Sequence, residues 1–122
     1  MADLESHNNG ARRFFTTQVQ LRSGYGAYTL AEDAQLTAKS PQLLAIDPGG
    51  SARNLDLPGI LEGVPDTEGL LFWVKNTADA AETITVRDPA NGTVDAIAQN
   101  QAALFVGTGG QAYAALGVWT IV

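Results

Sequence analysis

The sequence predicts an all-β domain with no long helix. Three observations carry this: short apolar runs between residues 42 and 122 alternate at period two, turn residues separate them at close intervals, and no stretch sustains a 3.6-residue apolar rhythm.

Taken in order, residues 1–12 are polar, hold the only histidine, His7, and include the turn-prone Asn8-Asn9-Gly10. They are expected to form a flexible or docking N-terminal arm, leaving one β-rich domain over residues 13–122. Residues 13–21, RFFTTQVQL, are aromatic and β-branched, and Val19 and Leu21 alternate with Gln18, Gln20 and Arg22, the pattern of a half-buried first strand. Ser23-Gly24-Tyr25-Gly26 breaks it. Thr29 and Glu32 have the spacing of a capping box, which predicts a single helical turn over residues 30–36, with an irregular loop as the alternative.

Residues 43–46, LLAI, run into Asp47-Pro48-Gly49-Gly50, and residues 53–57 then alternate so that Leu55 and Leu57 share a face. Pro58 closes that strand, and a loop to Gly69 carries Glu62, Asp66 and Glu68. The run LLFWV at 70–74 is long enough only for a strand and is the expected centre of a sheet. Ile84 and Val86 point inward from a strand over 83–87. Asp88-Pro89-Ala90-Asn91-Gly92 is a hairpin connection, because Asn-Gly accepts positive φ at little cost. Val94 and Ile97 fall out of phase in the return strand, which predicts a small bulge. Strands over 102–106 and 112–122, joined at Gly107–Gly110, complete the series. The expected architecture is a small antiparallel β-sandwich or barrel, with a β-tulip-like form as a variant, preceded by an extended N-terminal arm.

Composition limits function. A 122-residue chain that is 45% hydrophobic and 16% charged has material for one core and none of the charge excess of disordered chains. With no cysteine, neither a disulfide nor a thiolate is available, so association with other copies or a larger lattice is the remaining way to add burial. A net charge of −6 opposes attraction to phosphate backbones or anionic lipid, so neither nucleic acid nor a membrane is an expected partner. No apolar run approaches the roughly 18–20 residues of a membrane helix, and MADLESHNNG lacks the basic start and apolar middle of a secretory signal. Synthesis in a cytoplasm is expected.

No constellation suited to catalysis emerges, and no enzyme, cofactor or metal is expected. His7 lies in the polar arm, away from any nucleophile it could serve. Glu62, Asp66 and Glu68 share one loop but fit no EF-hand spacing. Gly107-Thr108-Gly109-Gly110 lacks the following helix of a phosphate-cradling loop. Asn91-Gly92-Thr93 matches a glycosylation acceptor but reads better as the hairpin turn. Phe72, Trp73, Tyr113 and Trp119 are either core residues or an aromatic platform, and alternation requires Phe72 and Trp73 to face opposite ways.

From Tyr28 onward the chain resembles a module of bacteriophage virion proteins, seen in capsid decoration (head cement) proteins and in tail-fibre parts. The resemblance rests on Tyr28-Thr29-Leu30-Ala31-Glu32-Asp33, residues 43–47, Asn54-Leu55-Asp56-Leu57-Pro58, Gly69 with Phe72-Trp73-Val74-Lys75-Asn76, Ile84-Thr85-Val86, Gly92-Thr93-Val94, residues 102–106 and Trp119. It implies a β-rich domain that assembles, often as a homotrimer, on a repeating lattice of major capsid protein. Because the sequence stops after its last strand instead of continuing into fibre repeats, the head surface of the virion is the expected location. Arg12, Arg13, Phe14 and Phe15 are then candidates for a capsid-docking arm, and Trp73, Tyr113 and Trp119 for interface aromatics. A tail-associated receptor- or carbohydrate-binding module is the alternative.

Overall fold

The computed structural model describes residues 24–60 and 66–121. Among them lie nine strands and no α-helix: β1 (Tyr25–Thr29), β2 (Ala34–Gln35), β3 (Leu43–Asp47), β4 (Arg53–Asp56), β5 (Leu71–Asn76), β6 (Ile84–Arg87), β7 (Thr93–Ile97), β8 (Gln101–Gly109) and β9 (Ala112–Thr120). They form two open, mixed sheets, ordered β1-β3-β5-β8-β9 and β2-β4-β6-β7. The strand expected over residues 13–21 lies outside the described residues.

Alternation placed the core correctly. In β5, Phe72, Val74 and Asn76 are buried while Trp73 and Lys75 face out. Phe72 and Val74 join Leu44, Ile46, Ala103 and Phe105 of their own sheet and Leu55, Ile84, Val86 and Ile97 of the other in one apolar cluster. Burying such side chains contributes roughly 1.5–3 kcal/mol each. Asn76 is fully buried but satisfied: its Nδ2 donates to the carbonyls of Glu82 and Ile97 at 2.8 and 2.9 Å, and its Oδ1 accepts from the Ala78 N–H. That leaves none of the unpaired polar burial that would cost about 1–3 kcal/mol.

Strand direction departs from expectation. Instead of an antiparallel meander, β1 with β3, β3 with β5, β2 with β4 and β4 with β6 are all parallel. The reason is that the chain visits the two sheets in turn from β1 to β6, so successive strands of one sheet are separated by a strand of the other. A parallel return needs a crossover of about a dozen residues, usually helical; here a strand of the opposite sheet serves. Only β5–β8, β6–β7 and β8–β9 are antiparallel.

The helical turn expected over 30–36 is absent. Thr29 ends β1 opposite Asp47, and the Leu30 N–H donates to the Asp47 carbonyl, so Thr29 cannot cap a helix. Ala34 and Gln35 instead pair with Leu55 and Asp56, and the Leu36 N–H continues to the Asp56 carbonyl at 2.8 Å. Tertiary pairing outweighs the local capping signal. The bulge in β7 is present: Val86 faces Asp95 while Arg87 faces Thr93, so the register skips Val94. At the preceding turn Asn91 adopts φ 66°, and one Asp88 carboxylate oxygen accepts the N–H groups of Ala90 and Gly92. The β8–β9 hairpin is pinned by Gly107, where an added Cβ would overlap the carbonyl of Thr67.

Candidate functional site

The outer face of the five-stranded sheet is apolar where a solvated face is normally polar. Parallel pairing sets Tyr25 beside Leu43 and Leu43 beside Trp73, and antiparallel pairing continues that row through Leu104 to Gly117. The next row is Ala27, Ala45, Lys75, Ala102 and Trp119. Tyr25 is 68% exposed, Leu43 51%, Trp73 43% and Trp119 45%, so these large side chains meet solvent instead of filling the core.

Trp73 and Trp119 stack with ring centroids 5.6 Å apart and planes 19° from parallel. Two small residues make this geometry available. Ala102 separates them on β8, and Gly117 leaves the space where a Cβ would come within 3.0 Å of the Trp119 ring. Beside the pair lies a concavity of about 530 Å³, lined by Tyr25, Leu43, Ala45, Trp73, Lys75 and Ile121. Covering the exposed part of each indole, on the order of 100 Å², is worth roughly 2–3 kcal/mol to an apolar partner.

Of the three interface aromatics expected from sequence, the structure brings Trp73 and Trp119 together and sets Tyr113 apart. Tyr113 is buried, and its hydroxyl donates to the Pro58 carbonyl at 2.7 Å. Tyr113 and Trp119 are six residues apart and would share a face in a regular strand. The β8–β9 register explains the split: Phe105 faces Ala115 and Leu104 faces Gly117, so Leu116 has no partner and bulges. The extra residue turns Tyr113 inward and Trp119 outward. Arg12, Arg13, Phe14 and Phe15 lie outside the described residues, as do His7 and Glu62. Tyr25 and Leu43 were not anticipated; their place on this face follows from parallel pairing, which alternation alone does not encode. Ile121, also not anticipated, lies two residues beyond Trp119, just past the antiparallel β8–β9 pair.

The outer face of the four-stranded sheet is polar and internally paired. Arg87 grips Asp56 through Nε and an Nη nitrogen, at 2.6 and 2.8 Å, and this bond raises the guanidinium pKa above its ordinary value. Asp33 accepts the Asn54 N–H at 2.9 Å and its side-chain amide at 3.1 Å, with the backbone bond foremost in holding the carboxyl below its ordinary pKa.

Asp47, Asp79 and Glu82 bring carboxylate oxygens within 4.8 Å of one another, making them the described residues that could hold a hard cation. Asp47 and Glu82 already accept the N–H groups of Gly49 and Gly50, which accounts for their position as loop-ordering groups. Asp66 likewise accepts the Glu68 N–H in its exposed loop. Gly107–Gly110 enters a hairpin, not a phosphate loop.

No protein-family profile matches the chain. Neither the curated proteins nor the solved structures include a significant match to it.

Proposed function

We propose that this chain is a non-enzymatic structural protein of a bacteriophage particle, a β-sandwich that assembles with its own copies and binds the outer surface of the capsid. Copies sit at junctions between major capsid protein subunits and bridge them, so that the shell resists the outward pressure of packaged DNA. The observation that carries this reading is the aromatic face of the five-stranded sheet. Its row of Tyr25, Leu43 and Trp73, extended by Trp119, presents the residue types that dominate protein interfaces. The adjoining concavity offers apolar walls and one amine, Lys75, a lining suited to contact more than to proton transfer. The sequence resemblance to head-decoration modules supplies the setting, and several weak contacts per oligomer supply avidity.

The test is co-sedimentation of purified protein with mature capsids of the phage that encodes it. Stoichiometric binding that raises the capsid melting temperature, and is lost in Trp73→Ala/Trp119→Ala, is the expected result. Absence of binding overturns the reading.

A second reading draws on the same indole pair: beside an open concavity, aromatic faces also suit a tail-associated module that stacks on sugar rings. Glycan-array binding abolished by Trp73→Ala, with no capsid binding, would select it.

A further inference from the structure

The aromatic face carries a charge at its centre. β5 is the middle strand of the five, and Lys75 points outward from it, two residues beyond Trp73 on the same face. Its cross-strand neighbours are Ala45 of β3 and Ala102 of β8, both too short to shield an amine and unable to pair with one. Lys75 is exposed, and among the described residues its amine takes part in no ion pair or hydrogen bond. The other cations of the strands are satisfied: Arg53 donates from Nε to the Pro48 carbonyl at 3.0 Å, and Arg87 grips Asp56. Asp47 lies further along β3 on the same face, but it accepts the Gly49 N–H and gathers with Asp79 and Glu82, forming no ion pair with Lys75.

Lys75 is also the one charged residue lining the concavity beside the indole pair, among Tyr25, Leu43, Trp73 and Ile121. A lysine at the rim of an interface bends its stem outward and keeps its ammonium in water. On the middle strand that escape is closed once a partner covers the rows on either side. A wholly apolar cover would then strip water from the ammonium and return nothing, a loss that offsets much of the gain from covering the indoles. A second copy laid face to face about a two-fold axis through β5 would set Lys75 against Lys75, a like-charge contact.

We infer that the partner surface on this face presents a side-chain carboxylate, an Asp or Glu set among apolar residues, that pairs with Lys75 while its apolar surroundings cover Tyr25, Leu43 and the Trp73–Trp119 stack. The inference rests on the capsid-binding reading and assigns the carboxylate to a major capsid protein subunit. The division of labour is that of a specific interface: the aromatic area supplies affinity, and one central charge pair fixes which surface docks and in which orientation.

Zero-length carbodiimide coupling tests the contact directly, because it joins an amine to a carboxylate only where the two touch. With the full chain bound to mature capsids of the phage that encodes it, mass spectrometry should find Lys75 Nζ in an amide with an Asp or Glu side chain of a capsid subunit. Lys75→Arg should still bind but lose that cross-link. Lys75→Met should bind at least about tenfold more weakly, with the free protein melting within about 2 °C of the unsubstituted chain. Raising salt from about 0.1 to 1 M, which shortens the screening length from roughly 10 to 3 Å, should weaken the unsubstituted chain more than Lys75→Met. Capsid binding without a Lys75 cross-link, a cross-link to a chain terminus or to a second copy, or undiminished binding by Lys75→Met would overturn the inference and leave the capsid reading standing. No binding by the unsubstituted chain would overturn both.

Discussion

The two sheets share one core but finish their outer faces differently. On the four-stranded sheet the outward residues satisfy one another: Arg87 with Asp56, and Asn54 with Asp33. On the five-stranded sheet the large outward residues are the apolar Tyr25, Leu43, Trp73 and Trp119, with Lys75 among them, and the main satisfaction of the aromatic ones within the chain is the stacking of two indoles. Inward positions obey the same rule in both sheets, so the core does not require the contrast. A face that completes its own bonding needs no partner, whereas an aromatic face gains free energy when something covers it.

The strongest challenge to this contrast uses neighbours on one strand. Phe72→Ala should destabilise the fold by about 3–5 kcal/mol, because it opens a cavity in a dry core. Trp73→Ala should cost about 1 kcal/mol or less, the worth of a stacked aromatic contact. Urea denaturation of both variants checks this, and comparable losses would mean that Trp73 is structural.

Association gives the next largest effect. Replacing Trp73 and Trp119 together should weaken binding to the partner surface at least about tenfold, since buried aromatics dominate interface energies. Arg87→Ala, on the other sheet, should leave binding unchanged, as measured by sedimentation.

Smaller effects belong to the polar face. Removing the Arg87–Asp56 pair through Arg87→Ala should produce a modest loss of melting temperature that shrinks as salt is raised, because a part-buried ion pair is screened. Acid should act through Asp33. Its folded pKa lies below the ordinary carboxylate value, so its contribution is present above that ordinary value and is lost as the pH falls through the folded one. Asp33→Asn should therefore flatten part of the decline in melting temperature below about pH 4. An unchanged acid profile would assign the decline to other carboxylates.

Much of this was legible in the sequence wherever alternation alone decided the outcome. Phe72 and Trp73 had to face opposite ways, Ile84 and Val86 had to face inward, and Asn91-Gly92 had to turn. Strand direction was not legible, because an alternating strand reads the same whether its neighbour runs with it or against it. The Tyr25-Leu43-Trp73 row therefore stayed hidden until β1 and β3 were seen to pair in parallel. β2 was missed for another reason: two residues provide no period, and the Thr29–Glu32 spacing offered a local alternative that pairing with Leu55 and Asp56 overrode. Tyr113 was grouped with Trp119 because a single unpaired residue between them leaves no clear mark on composition.

That residue, Leu116, separates two kinds of genetic change. Substitutions along β9 alter which side chains are displayed but leave inside and outside where they were. Losing or gaining one residue between Tyr113 and Trp119 would exchange them, sending an indole toward the core or a phenol into solvent. The length of this strand is consequently more constrained than its spelling. In an alignment of relatives, β9 should tolerate many replacements and almost no gaps.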